Sequence, residues 1–356
     1  EYGAQALLGV LERVPGLRPE EIGDVIMGCA MPYGVQGANM ARLIVQRAGL
    51  PDSVTAQTVN RYCSSGLQTI ATAANAIRCG EEAIMVAGGV ESMSMVPMLI
   101  GVEDADPWLR EHRPEVYTIM GITAENVAKR WNISRADMDA MAAESHRRAA
   151  QAQVQGCFDG QIIPVQIPGA DGQAVTVIRD EGIRPGTTAE KLAELKPCFL
   201  EDGLVTAATS SQRTDGAGFV VLMSAERAQA MGLKPLARFV TFATGGVPAE
   251  VMGVGPIEAV PKALKKAGLT LEEMDTIELN EAFASQALAC IRTLGMDPAR
   301  VNPWGGAMAL GHPLGATGAI LTCKALSYLE HTGGRYGMVT MCIGGGMGAA
   351  GIIERL

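Results

Sequence analysis

Aromatic side chains and basic residues are both scarce in this sequence. Phe, Tyr and Trp together make up 4% of the 356 residues, and 38 acidic residues against 29 basic ones give a formal net charge of −9. Nucleic acid is therefore not an expected partner, because phosphate backbones bind basic surfaces. A local arginine cluster could still hold an anionic small molecule.

Long hydrophobic runs are missing as well. No segment approaches the roughly 20 consecutive apolar residues of a membrane-spanning helix. The opening residues, EYGAQALLGVLERV, have the pattern of an amphipathic helix rather than of a signal peptide. We therefore expect no membrane insertion.

The cysteines lack the spacing of paired or metal-binding thiols. None belongs to a CxxC pair or to a Cys/His ligand pattern, so we expect no metal site. Thiols scattered among apolar and small residues are typical of a reducing compartment. This favours a bacterial-type cytoplasm, with an organelle matrix as the alternative. The eight positions are Cys29, Cys63, Cys79, Cys157, Cys198, Cys290, Cys323 and Cys342.

Glycine is abundant, with 43 residues, and an internal repeat runs through the chain. Residues 16–27 (GLRPEEIGDVIM) align without a gap with residues 268–279 (GLTLEEMDTIEL). In both copies a helical pattern, a Val-Asn pair, a small-residue helix and a strand follow. Alternating helices and strands predict a duplicated α/β domain with mainly parallel sheets.

The region between the copies has a different pattern. It contains a long helical stretch, with Ser134 as a candidate N-cap, and then short strands and turns. We therefore predict an N-terminal half over residues 1–92 plus about 213–234, an inserted loop domain over 93–212 and a C-terminal half over 235–356. The second copy has one strand more, at residues 236–242, so the repeat predicts a further strand ahead of residue 1.

The stretch TVNRYCSSGLQ contains the first candidate for chemistry, Cys63. Apolar residues at helical spacing predict a helix that begins near Ser64: they are Leu67, Ile70, Ala74 and Ile77. The thiol would then lie at a helix N-terminus, where free N–H groups and the helix dipole favour a thiolate. A buried structural cysteine is the alternative.

His312 is the second candidate. The other three histidines (112, 146 and 331) lie in polar contexts and are expected on the solvated surface. His312 instead lies in GGAMALGHPLGATGA, where a rigid loop of small residues leaves room for a ligand. We interpret it as a catalytic imidazole, against a structural histidine as the alternative.

Two further candidates follow predicted strands. Cys342 lies at the carboxyl end of an apolar strand, where α/β sheets bind ligands. Asn280, with Glu281, lies between a strand and a helix, at the place that Gly28-Cys29 takes in the first copy. It is either a helix cap or a fixed polar group that orients a water or an oxyanion. Two thiols, an imidazole and an amide together suit acyl transfer with carbon–carbon chemistry.

Six stretches of the chain closely resemble the thiolases, in the order of that family and over the whole length. They are VNRYCSSGLQ, GGVESMS, MGITAENVA, LNEAFASQ, GGAMALGHPLGATG and MCIGGGMGAAG. The resemblance implies two similar α/β halves in five layers (αβαβα) with an inserted loop domain. It implies cleavage of 3-ketoacyl-CoA by CoA to acetyl-CoA and a shortened acyl-CoA, in fatty-acid β-oxidation. CoA is then a substrate, and no cofactor is bound permanently.

The resemblance also assigns roles. Cys63 matches the nucleophile, His312 its activating partner and Cys342 the acid/base. Asn280 matches the residue that holds a water in one oxyanion hole with His312, and the N–H groups of Cys63 and Gly344 match the other hole. The residues that match CoA-contacting positions are Met120, Arg184, Ser211 and Phe283.

Other functions stay open at this point. A biosynthetic acetyl-CoA acetyltransferase would share these residues, although the apolar Ile119 favours a degradative enzyme. A non-catalytic acyl-CoA-binding protein would be expected to lose Cys63, His312 or Cys342, and a redox sensor would not require the GHP and NEAF motifs. A decarboxylating ketoacyl synthase is less favoured, because such enzymes pair their cysteine with two histidines. The resemblance further implies a homodimer or homotetramer, with a β-oxidation complex partner as a possibility.

Overall fold

The structure, a computed structural model, describes residues 1–98, 104–169 and 172–356. The helices are α1 (Tyr2–Glu12), α2 (Met40–Arg47), α3 (Ser65–Cys79), α4 (Pro107–His112), α5 (Met120–Arg130), α6 (Arg135–Val154), α7 (Ala189–Ala193), α8 (Ala225–Ala230), α9 (Gly255–Ala267), α10 (Ala284–Leu294), α11 (Ala307–Leu310) and α12 (Leu314–Thr332). The strands are β1 (Asp24–Gly28), β2 (Thr55–Val59), β3 (Ile84–Ser92), β4 (Val165–Pro168), β5 (Ala174–Val177), β6 (Asp215–Met223), β7 (Ala237–Gly246), β8 (Thr276–Leu279), β9 (Tyr336–Ile343) and β10 (Met347–Arg355).

Two four-stranded sheets carry the duplication. Their strand orders are β2-β1-β3-β6 and β7-β10-β9-β8. In the first, β1 is parallel to β2 and β3, and β3 is antiparallel to β6. In the second, β8 is parallel to β9, β9 is antiparallel to β10, and a parallel bridge from Ile277 to Val301 stands where β2 stands in the first. The aligned segments 16–27 and 268–279 therefore contain equivalent strands, β1 and β8.

The first sheet is mainly parallel, as predicted, but two of the three pairings in the second sheet are antiparallel, so the prediction is wrong for that sheet. The turn at residues 344–346 joins β9 directly to β10, and β10 also pairs antiparallel with β7. Gly345 and Gly346 have φ values of 79° and 87°, which glycine adopts at little cost. A tight turn leaves no room for the crossover helix that a parallel pair needs, so this part of the sheet is antiparallel.

Helices separate and cover the two sheets. α3 and α12 pack against each other between the sheets, and α12 contacts both of them. α1 and α2 bury Leu7 and Ile44 against the outer face of the first sheet, and α9 and α10 form a core with Ile277 and Met338 of the second. Each such buried aliphatic side chain contributes roughly 1.5–3 kcal/mol. The five-layer arrangement is confirmed.

The segment between β3 and β6 contains α4 to α7 and the hairpin β4–β5. The predicted cap of α6 is present, because Ser134 Oγ accepts from the Asp137 N–H and the Asp137 carboxylate accepts from the Ser134 N–H. Residues 99–103 and 170–171 of the predicted insertion lie outside the described residues. The division into three domains stays a prediction.

One edge of the first sheet is open. Across the described ranges no strand pairs with the outer edge of β6, and a cavity of about 1620 Å³ runs along it. In the second sheet β7 occupies the equivalent place beside β10. The strand that the repeat predicts ahead of residue 1 stays a prediction. The described lining of this cavity does not contain Cys63, His312 or Cys342.

Trp304 anchors an aromatic cluster beside α12. Its ring is 8% exposed and makes edge contacts with Phe158, Tyr328 and His331, at centroid distances of 6.0, 5.3 and 5.7 Å. The tryptophan therefore ties the end of α6 to α12 and the segment after Val301. Among the helices of the described residues, none has the length and apolar character needed to cross a membrane.

Candidate active site

Cys63 lies at the amino end of helix α3. The helix begins at Ser65, one residue from the predicted start near Ser64. A 3₁₀ turn over Tyr62–Ser64 leads directly into α3. The side chain is 8% exposed and packs against Ala30, Met93 and Leu314. Burial raises the pKa of Cys63 to about 12, and the N–H groups of Gly344 and of Cys63 itself oppose this rise by hydrogen bonding to the sulfur. The thiol is protonated at neutral pH, so its ionisation requires a base.

Cys342 is the last residue but one of β9 and is fully buried. Its pKa is raised well above the ordinary value, first by burial and then by the neighbouring thiols of Cys63 and Cys290. Met252 and Ala282 form an apolar wall beside it. Cys342 is therefore a protonated thiol at neutral pH. It lies close enough to Cys63 that a negative charge on one sulfur opposes ionisation of the other.

His312 is a buried, neutral imidazole in the loop between α11 and α12. Its Nδ1 lies 2.6 Å from Thr317 Oγ1, and its Nε2 lies 3.2 Å from Nδ2 of Asn280. Because the Thr317 hydroxyl donates to the Pro313 carbonyl, its oxygen can accept from Nδ1–H, which leaves the lone pair on Nε2. Burial lowers the pKa of His312 to about 4. The ring can therefore accept a proton at Nε2 at neutral pH.

Asn280 follows β8 and is 1% exposed. It does not cap the next helix, because the N-cap of α10 is Phe283, so the helix-cap alternative is wrong. Its backbone N–H donates to Thr340 on β9, and its amide oxygen is buried without a hydrogen-bond partner among the described residues. A buried acceptor without a partner is costly, which is typical of a functional site.

The predicted residues meet between the two halves of the fold. The Tyr62–Ser64 turn packs against both α12 and β9, and the Gly344 N–H reaches the Cys63 sulfur. β8 and β9 are neighbouring parallel strands, so the residues at their carboxyl ends share one edge of the sheet. The residues thus brought together are Cys63, Asn280, His312, Cys342 and Gly344.

Two family models together match nearly the whole chain. A family model described as "Thiolase, N-terminal domain" matches residues 1–226, and one described as "Thiolase, C-terminal domain" matches residues 233–355.

The chain belongs to the thiolase family.

Three relatives of this thiolase illustrate the range of named activities. A protein named 3-ketoacyl-CoA thiolase from Bacillus subtilis is 51% identical over 99% of this chain and 92% of its own length. A beta-ketoadipyl-CoA thiolase from Acinetobacter baylyi is 45% identical over 100% of this chain and 93% of its own. The crystal structure of a Bacillus anthracis acetyl-CoA acetyltransferase is 39% identical, with a TM-score of 0.91 over 99% of this chain and 93% of that one. Fold and family are therefore confirmed, and the acyl group is not determined by these names.

Three of the four predicted CoA-contacting residues of the thiolase lie at the apolar cluster around Cys342. Met120 and Phe283 belong to the apolar cluster around Cys342, and the Ser211 N–H donates to the carbonyl of Ala282 in the same cluster. The fourth, Arg184, is exposed after β5, and the structure places it with His146 instead.

His146 is not on the solvated surface of the thiolase, so that expectation is wrong. The side chain is 5% exposed, and its Nδ1 accepts a hydrogen bond from the Arg184 N–H at 3.1 Å. Burial and then the Arg184 charge lower its pKa. The polar neighbours in sequence lie on the other face of α6, which sequence context alone did not resolve.

Two residues at the site received no role from the sequence. Thr317 holds His312 through Nδ1, and the buried carboxylate of Glu91 holds the first turn of α12 through the Gly315 N–H. The available signal was an acidic residue near the end of the small, apolar strand IMVAGGVES. Across the described ranges, no group of three or more His, Cys, Asp and Glu side chains is arranged to hold a metal ion.

The neutral state of His312 predicts a specific pH dependence of stability. Its pKa is about 4 in the folded protein against an ordinary 6.5, so the unfolded chain binds more protons between these values. Stability is therefore present above about pH 6.5 and is lost as the pH falls toward 4, by about 3 kcal/mol. In His312→Asn this loss is absent. Near pH 4 the free energy of unfolding of the variant, measured in urea, should therefore rise by that amount relative to the wild type. The loss from His146 is common to both proteins, and parallel pH profiles would contradict the prediction.

Proposed function

We propose that this thiolase cleaves a 3-ketoacyl-CoA with CoA, releasing acetyl-CoA and an acyl-CoA shortened by the C1–C2 unit. Cys63 is the nucleophile. The observation that carries the proposal is the pair of buried thiols, Cys63 and Cys342, from different halves of the fold, beside a neutral imidazole. Thiolysis needs both a sulfur nucleophile and a proton donor for a carbanion, and this pair supplies them.

In the first half-reaction His312 takes the Cys63 proton, and the thiolate attacks the 3-keto carbon of the substrate. The N–H groups of Cys63 and Gly344, which lower the pKa of the sulfur by hydrogen bonding, favour the thiolate. The C2–C3 bond then breaks as the C3 carbonyl re-forms. The acyl group stays on Cys63 as a thioester, and the C2 electron pair becomes the enolate of acetyl-CoA.

An enolate is a poor leaving group, so its oxygen must be stabilised as the C2–C3 bond breaks. Asn280 is the residue for this task, because its buried amide has an oxygen without a partner and a nitrogen next to His312. Asn280 would hold a water that donates to the thioester oxygen of the enolate, together with His312. The N–H groups of Cys63 and Gly344 would form the second hole, for the oxyanion at C3. One such donor contributes roughly 3–4 kcal/mol to a transition state.

Cys342 then protonates the enolate carbon and becomes a thiolate. Burial and the neighbouring thiols keep Cys342 protonated beforehand, as a proton donor requires. In the second half-reaction this thiolate takes the proton of CoA, and the CoA sulfur attacks the Cys63 thioester. The tetrahedral adduct then expels the Cys63 sulfur, His312 returns the proton to it, and the acyl-CoA leaves. Two half-reactions that share one acyl-enzyme predict ping-pong kinetics.

CoA acts here as a substrate, and no permanently bound cofactor or metal is required. Met120, Ser211 and Phe283 would contact the pantetheine arm, since they lie against the Cys342 cluster. Arg184, which is exposed, would meet the nucleotide end.

The physiological direction we propose is degradation, as in fatty-acid β-oxidation. It is supported by relatives named 3-ketoacyl-CoA thiolase, at 51% identity in Bacillus subtilis and 47% in human peroxisomes. The 39% identical acetyl-CoA acetyltransferase supports the alternative, synthesis of acetoacetyl-CoA.

A thiolysis series tests the proposal. We expect turnover of 3-ketoacyl-CoA substrates from acetoacetyl-CoA to long-chain ones, with parallel ping-pong lines. A dicarboxylic substrate such as 3-ketoadipyl-CoA belongs in the series because of the Acinetobacter relative. Turnover of acetoacetyl-CoA alone would favour the biosynthetic alternative. No turnover of any substrate would leave only an acyl-CoA-binding protein.

We also infer a homodimer or homotetramer in a bacterial-type cytoplasm, with an organelle matrix as the alternative location and a β-oxidation complex partner as a further possibility. Assembly is supported by β2, a sheet edge flanked by the exposed Leu43 on α2. Location is supported by eight cysteines that are all free. Light scattering that gives a monomer mass, or cell fractionation with the protein outside these compartments, would contradict the inference.

A further inference from the structure

Glu91 is a buried carboxylate held by four N–H groups and by the thiol of Cys29, whose Sγ lies 3.7 Å from Oε1. It is the last residue but one of β3, a strand buried along its whole length, and is 1% exposed. Its oxygens accept from the backbone N–H groups of Ala30 at 2.7 Å, Met31 at 3.3 Å and Gly315 at 2.8 Å, and from Gln36 Nε2 at 2.8 Å. No ion pair to Glu91 is present within the described ranges. A buried charge without a counter-ion is costly, so these donors must hold it closely.

The hydrogen bond to Gly315 crosses from one half of the fold to the other. Gly315 lies in the first turn of α12, and Glu91 lies at the end of the first sheet. Side chains are excluded from this contact: a Cβ on Gly315 would lie 2.7 Å from Cys29 Cα, and one on Gly89 would lie 2.0 Å from the Gly315 carbonyl oxygen. The carboxylate also meets the positive end of the α12 dipole, which stabilises it.

The first turn of α12 carries both sides of the candidate site. Leu314, one residue before Gly315, packs against Cys63. Thr317, two residues after it, holds Nδ1 of His312. Whatever fixes this turn therefore fixes the distance between the sulfur and the ring that must exchange a proton.

We propose that Glu91 is a positioning residue, which holds the first turn of α12 against the ends of β1 and β3 and so sets His312 and Cys63 in register for proton transfer. This rests on the proposed function. Glu91 contacts neither the reacting atoms nor the substrate, and it acts through Gly315.

Electrostatics separates this role from a direct one. The negative charge of Glu91 raises the pKa of Cys63, so it opposes formation of the thiolate. Removing the charge should ease alkylation of Cys63 and, at the same time, lower turnover. Loss of a residue that stabilised the thiolate directly would instead slow the alkylation of Cys63 and lower turnover together.

Glu91→Gln is the decisive variant, because the amide places an NH₂ group among N–H donors. We expect kcat of thiolysis to fall by about 10- to 100-fold with KM for CoA nearly unchanged, as a displacement near 1 Å produces. Alkylation of Cys63 by iodoacetamide should be as fast as in the wild type or faster. Amide hydrogen exchange in residues 314–317 should accelerate. An unchanged kcat, or slower alkylation, contradicts the proposal.

Asp139→Asn is the matched control. Asp139 is an equally buried carboxylate, 1% exposed, which pairs with Arg135 on α6 away from the thiols. We expect it to lose stability while kcat stays within about twofold of the wild type, as for changes that do not couple to the site. An equal fall of kcat in both variants would mean that general destabilisation explains the Glu91 result.

Gln36→Leu keeps the test valid if Glu91→Gln does not fold. Gln36 donates to Glu91 from the first half only. Its loss should loosen the carboxylate, lower kcat by about three- to tenfold and accelerate exchange in residues 314–317, and no change in either measurement would count against the proposal. The exchange measurement does not depend on thiolysis. If the wild type has no thiolase activity and exchange in residues 314–317 is still faster in the variants than in the wild type, the proposed function is refuted. The positioning contact then remains supported.

Discussion

Replacing Cys63 by serine is expected to lower kcat for acetoacetyl-CoA thiolysis by at least about 10⁴-fold. The hydroxyl of serine is a far weaker acid and a far weaker nucleophile than a thiol, so the Cys63→Ser variant would not form the acyl-enzyme at a useful rate. The fold should be unaffected, because the oxygen fits within the space of the sulfur beside Ala30 and Leu314. The measurement is the rate of disappearance of acetoacetyl-CoA at saturating CoA.

The acyl-enzyme provides the second readout for Cys63. Wild-type protein mixed with acetyl-CoA should gain one acetyl group on the peptide that contains Cys63, and Cys63→Ser should gain none. Cys79→Ser is the matched control, because Cys79 is an exposed thiol at the other end of the same helix, α3. It should keep wild-type rates. Near-normal turnover in Cys63→Ser would overturn the assignment of the nucleophile.

Replacing Cys342 by serine is expected to separate the two kinds of chemistry. Carbon–carbon cleavage should fall by about 10³-fold or more, because a hydroxyl is a poor proton donor to the enolate carbon. Acylation of Cys63 by acetyl-CoA should continue, since it expels a thiolate and not a carbanion. Mass spectrometry of the acyl-enzyme and the thiolysis rate, measured on the same sample, give both quantities.

Cys290→Ser controls for loss of a buried thiol near this position. Cys290 is as fully buried as Cys342 and raises the pKa of Cys342, but its sulfur is directed toward the Gly253 carbonyl, 3.7 Å away. Thiolysis should therefore persist in this variant. The assignment of separate roles fails if Cys342→Ser forms no acyl-enzyme, or if it cleaves acetoacetyl-CoA at an ordinary rate.

The elements that sequence predicted well are those specified locally. The helix after Cys63 was predicted from apolar residues at helical spacing, and the start of α6 from Ser134 and its neighbours. The duplicated sheets were predicted from an aligned repeat. Each rests on residues within one or two turns of one another or on a copied segment, so no long-range contact is needed to recognise it.

The predictions that were wrong depend mainly on distant contacts. Antiparallel pairing of β10 with β9 follows from the local glycine turn at residues 344–346, whereas its antiparallel pairing with β7 joins distant segments. The exposure of His146 was misjudged because the neighbours along the chain are polar, while another segment packs near its ring and donates the Arg184 N–H to Nδ1. The role of Glu91 was missed because its partner Gly315 lies in the other half.

The sequence alone determined the α/β class, the duplication and the residue types available for acyl transfer, because periodicity and short motifs are local properties of the chain. Only the tertiary structure decided that residues 63, 280, 312 and 342 converge, that His312 is neutral and that both thiols stay protonated. These properties depend on which segments exclude water from one another. Packing of α3 and α12 between two sheets produces that exclusion, and no single segment encodes it.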